Sequence, residues 1–413
     1  MARTSECNSA QARKGMHGSE LRPPQWTNPA DSVYPLVSGL REGIEMTNAL
    51  ERLKEEKIPF LLCGYSSLDR YFRLPDTGPL YLAIDSSLVS LAKAFDDLQF
   101  PGLPLEDASV QSNGMRLVFR CVDSLSMPPS APFTVLRLLY DPGRNAFIDR
   151  IDLYPDLRAG TLEGAPASSD KAPRWLALCE AARLVSRYHY TTDPLALGWG
   201  RGDELPPPAY QRDLLIALLG SRNPHKGLEL LETAGFVEEA WPELYDMTRV
   251  PQGKDFHPDG NVWEHALATL TYRKRPDVIL SLALVLHDCG KPHAEGSKEK
   301  RFDGHAEIGA RIAARFMRRL GFAQDAITSV EFLVRFHMMP PALKTLPSFR
   351  TDSILASPLF PLLLELYRAD AASCYADDEH YYEACRIYKA WQKDRGNPFI
   401  VEKLRRQRAR MRR

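Results

Sequence analysis

Neither sign of charge is in excess in this chain: 53 Lys and Arg stand against 53 Asp and Glu over 413 residues. Without net charge there is no global field to steer it to nucleic acid or an anionic surface, so any such partner must be met by a local patch. No apolar run approaches the roughly 18–20 residues that cross a bilayer, and the polar N-terminus has no signal-peptide core. No membrane partner is expected. The seven cysteines include no C-x-x-C pair and are odd in number. That argues against a disulfide scaffold or zinc ribbon and for reduced thiols in a cytoplasmic protein. Internal repeats are also missing. The length suits two or three domains with real cores.

What is present centres on SLALVLHDCGKPHAEG, residues 281–296. An apolar helix ends in the adjacent pair His287-Asp288, and Gly290, Lys291 and Pro292 stop it. A carboxylate at the negative end of a helix dipole, against an apolar run, needs a cation to offset it. Lys291 is one candidate, and a divalent metal is a better one because further ligands surround the pair in the chain. His265 lies in NVWEHALATL, His305 in FDGHAEIGA, His337 in VRFHMMP and Asp370 in LYRADAAS. Cys289 points about 100° away from Asp288 on a helix and reads as core, and His293 reads as solvated.

The order His, His-Asp, His, His, Asp on successive helices resembles the HD superfamily of metal-dependent phosphohydrolases. The flanking text, FHPDGNVWEHALATL, LHDCGKP, FDGHAEIGARIAARFMRRLGF and LVRFHM, is similar to the C-terminal HD domain of bacterial tRNA nucleotidyltransferases of the poly(A) polymerase family. The resemblance covers about residues 251–372. It implies a first metal site of His265, His287, Asp288 and Asp370, with His305 and His337 serving a second ion or a substrate phosphate. Mixed nitrogen and oxygen ligands suit Mn, Fe, Co, Ni or Mg, and the metal's identity is not legible. A bound ion would make hydroxide available at neutral pH, with Asp288 bridging ions or orienting water and Lys291 neutralising a phosphate oxygen.

Read in order, residues 1–40 lack periodicity and are expected to be a disordered arm. EMTNALERLKEEK has helical spacing; IPFLLCGY, LYLAIDSS, MRLVFRCV and APFTVLRLLYDPGRNAFIDRI supply strands with an Asp-Pro-Gly turn. Residues 41–165 therefore read as a small mixed-sheet head, 166–250 as an all-α neck and body, 251–393 as the all-α HD domain, and 394–413 as a basic tail. The expected class is α+β.

The head resembles the family's nucleotidyltransferase head with its chemistry removed. Nucleotide transfer there needs two carboxylates one residue apart on a strand, both facing one side to hold Mg²⁺. The alignment puts Leu80 and Leu82 at those places and leaves only Gly64 of the glycine turn, with Leu136 at another motif position. The neck's row of triphosphate-binding arginines reads Ala177, Glu180 and Arg183, and Glu180 would repel a triphosphate. A shifted register, with Asp69, Asp76 or Asp85 supplying carboxylates, is the competing reading. Six arginines from Arg405 to Arg413 offer an RNA-backbone contact or a solvated terminus.

The leading expectation is a metal-dependent phosphohydrolase or phosphodiesterase on a tRNA nucleotidyltransferase-like scaffold with an inactive head. Its substrate would be a nucleotide, another phosphorylated small molecule or an RNA-end phosphate. One alternative is a non-catalytic RNA-binding or regulatory protein. The other is a CCA- or poly(A)-adding enzyme with an atypical head. Possible partners are tRNA or other RNA; the oligomeric state is not legible.

Overall fold

In this computed structural model the described residues are 33–35, 48–75, 78–162, 172–251, 260–294, 302–374 and 379–395. The tail arginines, and most of the 1–40 arm, lie outside them. Alternating apolar residues in the first third build one seven-stranded sheet of order β1-β7-β6-β2-β3-β5-β4 among the described residues. Its strands are β1 (Val33–Pro35), β2 (Phe60–Cys63), β3 (Leu80–Ile84), β4 (Ala108–Ser112), β5 (Met115–Cys121), β6 (Leu139–Asp141) and β7 (Ala146–Ile148). Only β3 and β5 pair in parallel. Helices α1 (Asn48–Glu55), α2 (Gly64–Phe72), α3 (Leu88–Ala94) and α4 (Tyr154–Ala159) complete this part. The expected α+β arrangement is what the chain adopts.

Two expectations are corrected here. Val33–Pro35, inside the stretch expected to be a disordered arm, pairs antiparallel with β7 at the sheet edge. Three residues with no alternation give no local signal, so the pairing comes from a partner over a hundred residues away. The second correction concerns register. Leu80 and Leu82 point into the main core with Leu117 and Phe119, their partners on β5. Tyr81 and Ala83 occupy the opposite face, with Arg120 opposite Ala83. Tyr81 lines the cleft, and Ala83 shares its side of the strand, buried against Leu61 and Cys63, one residue along from the expected pair. Neither carries a carboxylate. Asp85 shares their parity but stands exposed beyond the strand's end.

Helices make up the remainder: α5 (Trp175–Arg187), α6 (Pro208–Leu219), α7 (Pro224–Thr233), α8 (Phe236–Ala240), α9 (Pro242–Tyr245), α10 (Val262–Thr271), α11 (Val278–Leu286), α12 (His305–Arg319), α13 (Gln324–Phe336), α14 (Met339–Ala342), α15 (Ser348–Leu355), α16 (Phe360–Ser373) and α17 (Glu379–Arg395). Every residue of α11 from Leu280 to Leu286 is buried, as expected for a helix apolar on all sides. Asp277 starts it by accepting from the Leu280 amide at 2.9 Å, a cap worth about 1 kcal/mol. Arg273, just past α10, donates to the carbonyls of Leu219 (2.7 Å) and Ser221 (3.0 Å) at the end of α6. Those bonds fix the helical C-terminal part against the body.

Candidate metal centre

Three helix ends and two helix interiors aim six side chains at one point. His287 and Asp288 sit where α11 stops, His305 opens α12, and His337 follows α13. His265 comes from within α10 and Asp370 from α16. All six sequence-predicted ligands are brought together. Asp288 joins two sets of potential ligand atoms, each within 4.8 Å: His265, His287 and Asp288 on one side, and His305, His337 and Asp288 on the other. Its Oδ2 lies 3.2 Å from His287 Nε2 and 3.8 Å from His265 Nε2. Its Oδ1 lies 3.5 Å from His305 Nε2 and 3.8 Å from His337 Nε2. Asp370 Oδ1 closes the first set at 3.0 Å from His265 Nε2.

The protonation pattern explains why these atoms point inward. The Nδ1 atoms of His287, His305 and His337 each lie 2.7 Å from the carbonyl three residues earlier, those of Leu284, Phe302 and Val334. A carbonyl only accepts, so each Nδ1 carries the hydrogen and each neutral ring keeps its lone pair on Nε2. Ser373 does the same for His265. Its hydroxyl donates to the Asp370 carbonyl at 2.7 Å and stands 3.2 Å from His265 Nδ1, so the ring donates to it. The result is four Nε2 atoms converging in a buried space, with His265 Nε2 turned to the Asp370 carboxylate. His305 Nε2 and His337 Nε2 face each other at 3.1 Å, and two lone pairs at that distance need a proton or a cation between them. His287 Nε2 is buried without a directed hydrogen-bond partner. Adjacent ligands on one ion, with bonds of about 2.1 Å, sit roughly 3 Å apart. The donor set fits a divalent metal.

Charge in the centre is divided unevenly. Burial acts against ionising His287, but Asp288 and Asp370 outweigh it and lift its pKa to about 9. Burial holds His337 down at about 4, helped by the nearby His287. Burial would raise Asp370, yet the His265 hydrogen bond and the His287 charge bring it to about 2. Asp288 is held well below the usual carboxylate range: burial opposes ionisation, and His287 and Lys291 overcome it. Lys291 Nζ lies 2.6 Å from Asp288 Oδ2 and 5.5 Å from the Phe302 ring centre.

One glycine makes the geometry possible. A Cβ on Gly290 would lie 2.0 Å from the His305 carbonyl oxygen and 2.6 Å from the Gly309 amide nitrogen. The backbone after Asp288 thus abuts the start of α12, which holds His305 beside Asp288. Cys289 is buried in the core with its thiol on the Gly309 carbonyl, and His293 is half exposed, as expected. Sequence reasoning missed Ser373 and Cys374. Cys374 Sγ lies 3.8 Å from His265 Nδ1 and 4.0 Å from Asp370 Oδ1. The only available signal was the i, i+3 spacing of Asp370 and Ser373 on one helix face.

A second cluster of ionisable groups lies in the cleft between the sheet and α5 and α6. Glu180, 1% exposed, accepts from Tyr65 (2.6 Å), Tyr210 (2.8 Å) and Arg183 (2.9 Å). Arg183 also donates to Tyr81 at 2.9 Å and stacks on Tyr65 with 4.1 Å to the ring centre. One turn on, Arg187 holds Asp69 through two 2.6 Å bonds, and Tyr188 adds a third at 2.7 Å. Asp69, considered above for a metal-binding role, is thereby committed to a guanidinium. Arg187 was missed, although it continues the helical row from Arg183.

With this geometry in hand, the likeness to known proteins falls into place. Residues 262–373 match the HD domain family, so the C-terminal part is an HD domain. The chain is 29% identical over 244 residues to the A-adding tRNA nucleotidyltransferase of Deinococcus radiodurans, covering 52% of this chain and 55% of that protein. It is 31% identical over 202 residues to the CC-adding tRNA nucleotidyltransferase of Thermus thermophilus, covering 46% and 45%. The chain spans about half the length of these curated relatives. Among solved structures it is similar to the Bacillus stearothermophilus CCA-adding enzyme in complex with CTP, at 15% identity and a TM-score of 0.49, covering 83% of this chain and 80% of that one. The resemblance to the tRNA nucleotidyltransferases is thus borne out. The relatives favour the nucleotide-adding alternative over the leading expectation of a phosphohydrolase with an inactive head. No described helix is long and apolar enough to cross a membrane.

Proposed function

We propose that this chain acts on RNA ends or nucleotides as a protein of the tRNA nucleotidyltransferase class, with its metal chemistry seated in the HD domain. The relatives support the class. The reading that geometry supports best is hydrolysis of a phosphoester at the HD centre, and the convergence of four imidazole Nε2 atoms on Asp288 and Asp370 carries it. A divalent ion held by His265, His287, Asp288 and Asp370 would supply a Lewis acid and hydroxide at neutral pH. His305 and His337 face the other oxygen of Asp288, where they would hold a second ion or hydrogen-bond a phosphate oxygen. Lys291 would turn from Asp288 to the phosphate once metal takes over that carboxylate. The test is hydrolysis of bis-p-nitrophenyl phosphate and 2′,3′-cyclic nucleotides with added Mn²⁺, Ni²⁺, Co²⁺ or Mg²⁺. Turnover is expected with at least one ion; activity unchanged in the His287→Ala/Asp288→Ala variant sinks the reading.

The second reading is nucleotide addition to the tRNA 3′ end, favoured by both named relatives. The cleft's own residues oppose it, because Tyr81 and Ala83 stand where a carboxylate pair would have to face inward. Incorporation of labelled CTP or ATP into tRNA lacking its 3′ CCA decides the matter. Incorporation above the level of a no-enzyme control establishes addition, and its absence leaves the HD centre as the seat of chemistry.

A further inference from the structure

The cleft beside β3 has a volume of about 700 Å³, within the range of small-molecule sites. Five arginines and four carboxylates line it. Four of the five are already matched within the protein: Arg183 to Glu180, Arg187 to Asp69, Arg116 to Glu106 and Asp213, and Arg120 to Asp107. Arg222, exposed just past α6, has no ion pair among the described residues. A polyanion entering here would have to break charge-assisted bonds that the cleft makes for itself, and would find no carboxylate pair to hold its Mg²⁺.

The walls have the opposite character to a phosphate site. α6 lends the cleft apolar side chains as well as Tyr210 and Asp213. Leu215, Leu218 and Leu219 are buried in the core, whereas Leu214, Ile216 and Ala217 line the cleft beside Tyr210 and Asp213, with Ile216 left 37% exposed. Val278 lies across from the end of this helix, 3.7 Å from where a Gly220 Cβ would stand. Apolar surface and one uncompensated guanidinium therefore meet at the same corner.

We propose that this cleft binds a small amphipathic ligand with a single negative charge, its apolar body against Ile216, Ala217 and Val278 and its anionic end at Arg222, and that nucleoside triphosphates are excluded. None of these residues belongs to the HD centre, so the inference holds or fails without hydrolysis there, whereas the exclusion of triphosphates stands against nucleotide addition in this cleft. The probe is 8-anilinonaphthalene-1-sulfonate, followed by fluorescence and titration calorimetry on the full chain. Saturable binding of one molecule per chain is expected, weakened about tenfold or more by Arg222→Glu, the scale of one charge-assisted bond. Ala217→Trp, which fills the cleft, abolishes binding while leaving the unfolding midpoint within a few degrees of the parent; if that variant does not fold, the exposed Arg222→Glu carries the test alone. MgATP and MgCTP at millimolar concentration do not displace the probe. Absence of saturable binding, indifference to Arg222→Glu, or displacement by micromolar MgATP overturns the proposal.

Discussion

The HD centre and the head cleft both gather buried ionisable side chains and dispose of them in opposite ways. In the HD centre three imidazoles spend their Nδ1 hydrogen on a backbone carbonyl and turn Nε2 to the buried carboxylates, so ligand atoms gather at one point. In the cleft the cations are matched to carboxylates and hydroxyls from the same chain. Surplus marks a place built for an ion. Internal neutralisation marks a place that has become part of the scaffold.

The sharpest way to break this contrast is to remove donors from the first region. His287→Ala/Asp288→Ala is expected to lower metal content, measured by elemental analysis, by more than the roughly hundredfold that bounds the loss of an outer hydrogen bond. Its unfolding midpoint should change little by comparison. Glu180→Ala should do the reverse. It leaves Arg183 buried with its partner gone, at a cost of about 3–5 kcal/mol in denaturant unfolding, with metal stoichiometry unchanged. If Glu180→Ala is neutral, the cleft network is not scaffold.

Proton uptake gives a finer distinction. His287 has a folded pKa of about 9 against 6.5 unfolded. In the metal-free protein its stabilising effect is therefore fully present below pH 6.5 and is lost as pH rises through 9. Metal must displace that proton, so affinity should rise between pH 7 and 9 by up to about tenfold per unit, with proton release seen by calorimetry in buffers of different ionisation enthalpy. The smallest expected effect is Ser373→Ala, which frees His265 to rotate and should weaken metal binding by about tenfold. A pH-independent metal affinity would show that His287 is not a ligand.

The two regions were unequally legible in sequence. The HD ligands could be read because His287 and Asp288 are adjacent and the other four sit in segments of helical spacing. Ser373 escaped notice because it acts through the far nitrogen of a histidine 108 residues away. In the head the strands were visible but the register was not. LYLAI is apolar at every position, and a strand buried on both faces gives period-two reasoning no polar side to anchor on. Hence the pattern puts Leu80 and Leu82 at the motif positions, while Tyr81 lines the cleft and Ala83 lies buried on the same side of the strand. The partnership of Arg187 with Asp69 spans 118 residues, beyond any local pattern.

The near-contact of Gly290 with His305 and Gly309 has a consequence for how this centre tolerates change. Because main chain touches main chain there, the spacing between Asp288 and His305 is clamped at the contact and does not depend on the length of chain joining the two. A single added methyl at position 290 should undo it.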